Sequence, residues 1–429
     1  MTNGCLSFSL LASFILNEWP SPRAANVFGM SDESASSNSF DYEEKKRKRR
    51  RRLVLACAIA VCAYYETYMV KRRRRMPSLE GAKYAHRILG QGHEEHYQDV
   101  CRMNLRIFRK LCDIVRKKNL LHDTFGVKLE EQLLMFLYTI GNNVSNRNVQ
   151  EHFQHSGETV SRHFNNVLNA IFELSYTYIR LPCDEDLSCI PEQYKFSPFK
   201  DCIGMVDGFH IPVTVAVECQ GPFRNRKGSL SQNVMAACSF DSRFMYVLAG
   251  WEGSATDADV LQAALQDGFH VPAGKYYLVD AEYKNTTSFL APYPGVKYHP
   301  KDFEGENEEP QTPEELFNLK HFRIGGRIDR TIGVLKKRFP VLKVGTSYPY
   351  ESQAKLVVAA CTLHNFILIE NGGEDLLFTE YDNEVSSQAL HQEAIAATSP
   401  NSYPLEQWQE GNVLRDWIAD ALWEEYLTQ

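Results

Sequence analysis

The chain has no CxxC pair among its eleven cysteines, and their number is odd. A disulfide framework or a zinc site would show regular spacing, so the thiols read as reduced and the protein as intracellular. There is no Ser/His/Asp triad, no glycine-rich phosphate-binding loop and no internal repeat, which argues against serine hydrolases, P-loop NTPases and solenoids. Residues 6–16 are mildly apolar but lack a basic leading region and a cleavage signature, so no secretory signal is expected. Apolar (44%) and aromatic (12%) contents are those of an ordinary globular protein.

Charge is unevenly spread. The net charge is −7, yet residues 45–52 are an unbroken basic octet, 71–75 a second basic run, and the chain beyond 76 is acidic. Between the basic blocks lies a 13-residue apolar run, 53–65, which reaches 18 residues only by counting through Glu66 and Thr67 to Val70. That is the lower limit for a membrane span, and it carries a charge. Two readings stand. One is a soluble helix in a nuclear protein, with the basic blocks as localisation clusters or phosphate contacts. The other is a short membrane segment over 53–70 with basic anchors on its cytoplasmic side. Residues 1–44, rich in Ser, Asn and small side chains, are expected to be disordered.

Residues 94–170 read as helical. Leu105, Phe108, Leu111, Cys112 and Val115 recur at helical spacing, and 127–140 is apolar enough for a core helix. Over 145–172, Val149 and Phe153 mark a short helix and Val160, Phe164, Val167, Leu168 and Ile171 a longer one, with Ser156 as N-cap and Glu158 in the first turn. Arg162, His163, Asn165 and Asn166 are expected to face outward. This is either a helix-turn-helix whose second helix reads a major groove or a helical hairpin with a polar face.

From Phe199 the pattern becomes strand-like. Ile203, Met205 and Val206 suit a buried strand, yet Asp207 sits within it, and a charge is costly to bury without a partner. A basic loop with Arg224, Arg226 and Lys227 follows. Runs 233–238 and 243–250 read as a hairpin. Then come a helix near 258–265 that Asp257 or Ser254 caps unless they support the acid site instead, a strand over 275–280 ending in Asp280, a short strand near 296–298, a helix over 328–339 opened by Asp329, and a helix over 352–369. Asp207, Asp280 and Asp329, from two strand ends and a helix, can hold divalent Mg or Mn, the machinery for cutting phosphodiester bonds. Gly333 is expected to leave clearance beneath Asp329, and Lys336, on the same face, to contact DNA. His210 and His321 lie near the acids in sequence, and His364 with Asn365 reads as core polar pairing. A last amphipathic helix is expected over 413–426, with Trp417 and Trp423 on or near its apolar face.

At these residues the chain resembles the PIF/Harbinger transposase family and its domesticated, nuclease-like descendants in plants and animals. The blocks that carry the resemblance are GMVDGFHIPV (204–213), RNRKGSLSQNV (224–234), LAGWEGSATDADVL (248–261), YYLVDAEY (276–283), FLAPYPGVKYH (289–299), FNLKHFRIGGRIDRTIGVLKKRFPVL (317–342) and ACTLHNFI (360–367). With RNVQEHFQHSGETVSRHF (147–164), which resembles plant members, it covers roughly 50–369.

The resemblance implies an α/β protein: an RNase H-like DDE nuclease domain, a mixed sheet flanked by helices, over 200–369. An all-α helix-turn-helix-like domain would precede it over 77–185, with a basic–apolar–basic segment at 45–76 and an acidic tail at 370–429. It implies a two-metal site on Asp207, Asp280 and Asp329; apart from it, the basic loop residues Arg224, Arg226 and Lys227, with Lys336 and Arg162, are suited to DNA contacts. It also implies a separate Myb/SANT-like DNA-binding protein or chromatin complex as partner, while the basic blocks point to the nucleus. Three positions depart from the family: Asp329 stands for Glu, Glu282 for Gly after the second acid, and Gly325 for a common Arg. The departures set two functions against each other, a working endonuclease and a catalytically retired chromatin or transcription regulator.

Overall fold

The computed structural model describes residues 36–65, 79–91, 94–182, 197–303, 309–373, 375–388 and 405–428. Its contacts divide the chain into two units, 1–74 and 75–429. The first unit contributes one helix, α1 (Ser36–Tyr64). Residues 36–44 are therefore helical, a correction to the expected disorder; residues 1–35 lie outside the described set. From residue 42 to 64 every α1 side chain except Cys62 is exposed, including Leu53, Val54, Leu55, Ile59 and Val61. Residues 66–70 of the apolar run lie outside the described set.

The second unit begins with helices α2 (Leu79–Gln91), α3 (Glu94–Cys101), α4 (Leu105–Lys117), α5 (Leu129–Asn142), α6 (Asn146–Phe153) and α7 (Gly157–Tyr178). The apolar spacing of α4 puts Ile107, Phe108, Leu111, Cys112 and Val115 on its buried face, and Asn104 caps it by accepting from the Ile107 N–H at 2.9 Å. Ser145 and Ser156 cap α6 and α7 in the same way. The anticipated helix–turn–helix outline is present, with one correction: His163 is fully buried rather than outward-facing. Arg162 is exposed and paired with Glu158 one turn earlier, at 2.9 Å.

The sheet has five strands, β1 (Cys202–Pro212), β2 (Ser231–Cys238), β3 (Phe244–Glu252), β4 (Tyr276–Val279) and β5 (Phe289–Leu290), in the spatial order β3-β2-β1-β4-β5. The hairpin side is antiparallel; β1 with β4 and β4 with β5 are parallel. The fifth strand is 289–290 and not 296–298, where no strand forms. Between β3 and β4 lies α8 (Asp257–Gln266). After the sheet come α9 (Pro313–Arg338), α10 (Tyr350–Glu370), α11 (Leu376–Gln388) and α12 (Leu405–Leu427). The stretch beyond 370, expected as loop until the last helix, thus contains α11, and α12 starts earlier than expected. Trp423 packs on the core, but Trp417 is solvent-exposed.

Alternation along β1 feeds two cores. Met205, Phe209 and Ile211 join a large cluster with α4–α7, α9 and α10, while Val206 joins a smaller one with Val260, Leu261 and Ala264 of α8. Helices from before and after the sheet share the large cluster. His364 and Asn365 are core polar residues as expected, though they bond backbone and not each other. The Asn365 amide donates to the Phe244 and Tyr178 carbonyls (2.7 and 2.8 Å) and accepts from the Phe244 N–H, while His364 Nε2 meets the Ser242 carbonyl at 3.0 Å. Among the described residues, the one helix long and apolar enough to cross a membrane is α10, and 72% of that window is buried in the protein.

Candidate active site

Parallel pairing of β1 with β4 sets Val206 beside Val279, so the next residues, Asp207 and Asp280, come side by side where the strands part. In both, one carboxylate oxygen accepts from the following backbone N–H, Gly208 at 2.8 Å and Ala281 at 2.6 Å, which orients the pair. Asp329 reaches the same place from α9. It lies well inside that 26-residue helix rather than opening a shorter one. Thr312, with Pro313 behind it, provides the actual start by accepting from the Glu315 N–H.

The three acids line one pocket of about 120 Å³, with Tyr298, His321, Phe322, Gly325, Gly326 and the strand residues beneath them. Glycine in a helix interior costs about 1 kcal/mol relative to alanine; here two in succession leave a gap in the α9 wall between Phe322 and Asp329. A Cβ on Gly326 would meet nothing within 4 Å. Asp207 is half-buried, and Asp280 and Asp329 are exposed at the rim. Desolvation, and then the charges of Asp329, Asp280 and Asp257, push the Asp207 carboxyl well above its ordinary range. Desolvation by the walls and the charge of Asp280 raise Asp329 as well.

His321 is not a metal ligand in this arrangement. Its Nε2 faces the Leu290 carbonyl at 3.0 Å, so it carries the proton, and Nδ1 accepts from the Tyr298 hydroxyl at 3.3 Å. Burial lowers the imidazole to about 4, which keeps it neutral. The Tyr298 phenol, raised first by desolvation and then by all three acids, faces the pocket. Neither Tyr298 nor Phe322 was singled out from sequence; the aromatic at the end of the 289–299 block was the available signal.

The basic residues divide. Arg226 pairs with Glu282 at 3.1 Å, Arg224 donates to the Gly228 carbonyl at 2.7 Å, and Lys227 is exposed. The Lys336 ammonium lies 5.4 Å from the Phe209 ring centroid and donates to the His210 carbonyl at 3.2 Å. His210 is exposed and bonds Ser231. The clearance at Gly333 is taken by protein: a Cβ there would lie 2.2 Å from the Tyr381 ring of α11. The α8 cap is Thr256, in a capping box with Asp259, rather than Asp257 or Ser254.

Hard carboxylate oxygens suit Mg²⁺ or Mn²⁺, and the mutual repulsion that raises Asp207 is what a cation would relieve. No group of three His, Cys, Asp or Glu among the described residues is gathered tightly enough to enclose one ion as it stands.

The mixed five-stranded sheet thus brings together an acid from within β1, one just past the end of β4 and one from a helix. A family profile described as DDE superfamily endonuclease matches residues 206–365, so this part of the chain belongs to that superfamily, in agreement with the Harbinger resemblance. A second profile, described as a domain of unknown function, matches 76–173. The rat protein titled "Putative nuclease HARBI1" is 29% identical over 226 residues, 51% of this chain and 60% of its own length; the human protein of that title is 28% identical over the same span. The chain thus spans about 60% of the length of these relatives. "Protein ALP1-like" of Arabidopsis thaliana is 22% identical over 356 residues, 76% of this chain and 81% of its own. A chain of the cryo-EM structure of a piggyBac transposase synaptic complex with hairpin DNA aligns over 84% of this chain at 7% identity with a TM-score of 0.29, too low to carry an inference.

Proposed function

We propose that the protein is a metal-dependent DNA endonuclease of Harbinger transposase origin, built on an RNase H-like core and acting in the nucleus. The observation that carries this reading is the convergence of Asp207, Asp280 and Asp329 on one pocket, with no cationic side chain among its lining residues. Bound Mg²⁺ or Mn²⁺, taken as two ions, would supply charge to a phosphate oxygen and acidify a water. Asp207 and Asp280, each held by a backbone N–H, would fix the ion position, and Asp329 would close it from the helix. The glycine gap of α9 admits a phosphate. Tyr298, whose one hydroxyl proton goes to neutral His321, keeps its oxygen as an acceptor in the pocket, and Lys227 would meet the backbone of the duplex.

The test is nicking of supercoiled DNA carrying terminal repeats by full-length protein with Mn²⁺. Wild type should nick and Asp207→Asn should not; equal inertness of both, with wild type folded, overturns the enzyme. A second reading, a retired regulator that keeps the fold for partner or DNA binding, draws on one observation: Glu282 occupies Arg226, one of the basic residues that would otherwise face DNA. It expects Asp207→Asn to retain binding and cellular effect.

A further inference from the structure

A metal-held phosphate uses the acidic half of the pocket and leaves the other half without a role. That second half is aromatic, with Tyr298, His321 and Phe322. Tyr298 and His321 are committed to one another at 3.3 Å, and His321 to the Leu290 carbonyl. Phe322 has no such commitment and is only half-buried, so part of its ring stays open to the pocket. Two neighbours set the plane of the ring. Tyr298 meets it edge-on, with centroids 5.3 Å apart at 89°, and the exposed His299 leans on it at 4.7 Å and 53°. A fixed aromatic ring at the mouth of a site offers a face on which a flat group can stack.

The glycines of α9 supply a second observation. Phe322, Gly326 and Asp329 fall on one face of the helix, and Phe322 precedes Asp329 by two turns, about 10 Å along the axis. Nothing inside the fold asks for the bare turn between them. Neither Gly325 nor Gly326 has a positive φ. A Cβ on Gly326 would meet nothing within 4 Å, and one on Gly325 only the His321 ring at 3.9 Å. Alanine would fit at both and favour the helix. Gly333, on the same face, shows the contrast, because there Tyr381 fills the space. Admission of a phosphate accounts for clearance beside Asp329 but not for an aromatic ring at the far end of it. A nucleotide whose phosphate lies at the acids would reach along this slot and bring its base to Phe322. A base paired in a duplex is enclosed by its stacked neighbours and its partner, so only an unpaired one can enter.

We propose that Phe322, braced by His299, is a stacking shelf for one unpaired base, reached across the bare turn at Gly325 and Gly326. The substrate is then DNA with an unpaired nucleotide beside the phosphate held at the acids. This rests on the nuclease reading above and adds to it a substrate class. Every base has a face that stacks, so the shelf selects for unpairing rather than for sequence.

The test is fluorescence anisotropy of full-length protein, in the presence of Ca²⁺, with two labelled DNAs: a fully paired duplex and the same duplex carrying a central mismatch. Wild type should bind the mismatched duplex about tenfold tighter or more. Gly326→Leu fills the slot from an open side of the helix and should abolish that preference, with Tm unchanged or raised because leucine is the better helix former. Phe322→Ala should weaken binding of the mismatched duplex by about 5–100-fold and leave the paired duplex unchanged, whereas Phe322→Trp should keep the preference. Equal affinity of wild type for the two duplexes overturns the proposal and leaves the nuclease standing. So does a preference that survives in folded Gly326→Leu, or an equal loss on both duplexes in Phe322→Ala, which would make the ring a packing element. A folded wild type that binds neither duplex overturns the nuclease reading together with the proposal. Should Phe322→Ala fail to fold, Gly326→Leu decides, because the proposal needs the slot and the fold does not.

Discussion

Two charged residues of α9 stand nine positions apart and live under opposite rules. Arg338, at the helix end, is 2% exposed and meets the Asp375 carboxylate and the Arg102 carbonyl. Asp329, in the middle, faces two more carboxylates, and the nearby ammonium, Lys336, is committed to a backbone carbonyl. A buried charge with its counter-charge is a structural joint, here tying α9 to the turn that starts α11. Like charges gathered with no cation are unfavourable unless something outside the chain completes them. The same helix therefore anchors the fold at one end and presents the site in its middle.

The sharpest way to break this comparison is to remove one partner of the joint. Arg338→Met leaves Asp375 buried without a counter-charge and should cost about 3–5 kcal/mol by denaturant unfolding, while replacing both partners by apolar residues should recover much of it. A neutral single mutant would mean that Asp375 is not fixed by Arg338.

The pocket should respond in the other direction. Because the folded state raises the Asp207 carboxyl, the folded protein holds a proton there that the unfolded chain has already released. The stability of the metal-free protein should then fall as pH rises from the ordinary carboxylate range until Asp207 ionises in the fold. Asp207→Asn should flatten that decline. It should also remove the stabilisation by Mn²⁺, about 2.7 kcal/mol at a hundredfold excess over Kd. A pH profile that Asp207→Asn leaves unchanged would dissociate the strain from this site.

The sequence displayed the joint and the pocket unequally. Strand β1, the hairpin β2–β3 and the acids at 207 and 280 were legible because a carboxylate interrupts the apolar run of β1 and another ends that of β4. The start of α9 was not: Gly325 and Gly326 interrupt the helical pattern, so only 328–339 looked helical, whereas packing of Phe317, His321 and Ile324 carries the helix through. Asp257 looked like a cap because it precedes an apolar run, and only the register of β1 against β2 brings it over Gly208. The Arg338–Asp375 joint was invisible, since neither residue belongs to a local pattern and they meet only after α9 and α10 have packed.

Gly333 tests the border between the two regions. Gly333→Ala should press on Tyr381 and shift α11, whose Asp382 and Glu380 also pair with Arg330 and Lys337 of α9. Overpacking of this kind costs about 1–3 kcal/mol, and Mn²⁺ affinity should change little if the clearance belongs to the fold. Gly333→Ala with normal stability but weakened Mn²⁺ binding would return the clearance to the site.

The smallest effect is expected at the rim, where both rules meet in one exposed pair. Glu282 is an acid beside the pocket, and it is also the partner of Arg226 at 3.1 Å. Exposed pairs contribute at most about 1 kcal/mol, so Glu282→Gly should leave stability nearly unchanged. It should nonetheless free Arg226 for a phosphate and remove one negative charge from the approach to the pocket. DNA binding by fluorescence anisotropy should then tighten by a factor of about 2–5, the worth of one such pair, with a steeper salt dependence. Tightening that vanishes when Arg226→Ala is added would assign the gain to the released guanidinium, and tightening that persists would assign it to the lost carboxylate. Unchanged affinity in Glu282→Gly would place the basic loop outside the DNA path and favour the regulator over the nuclease.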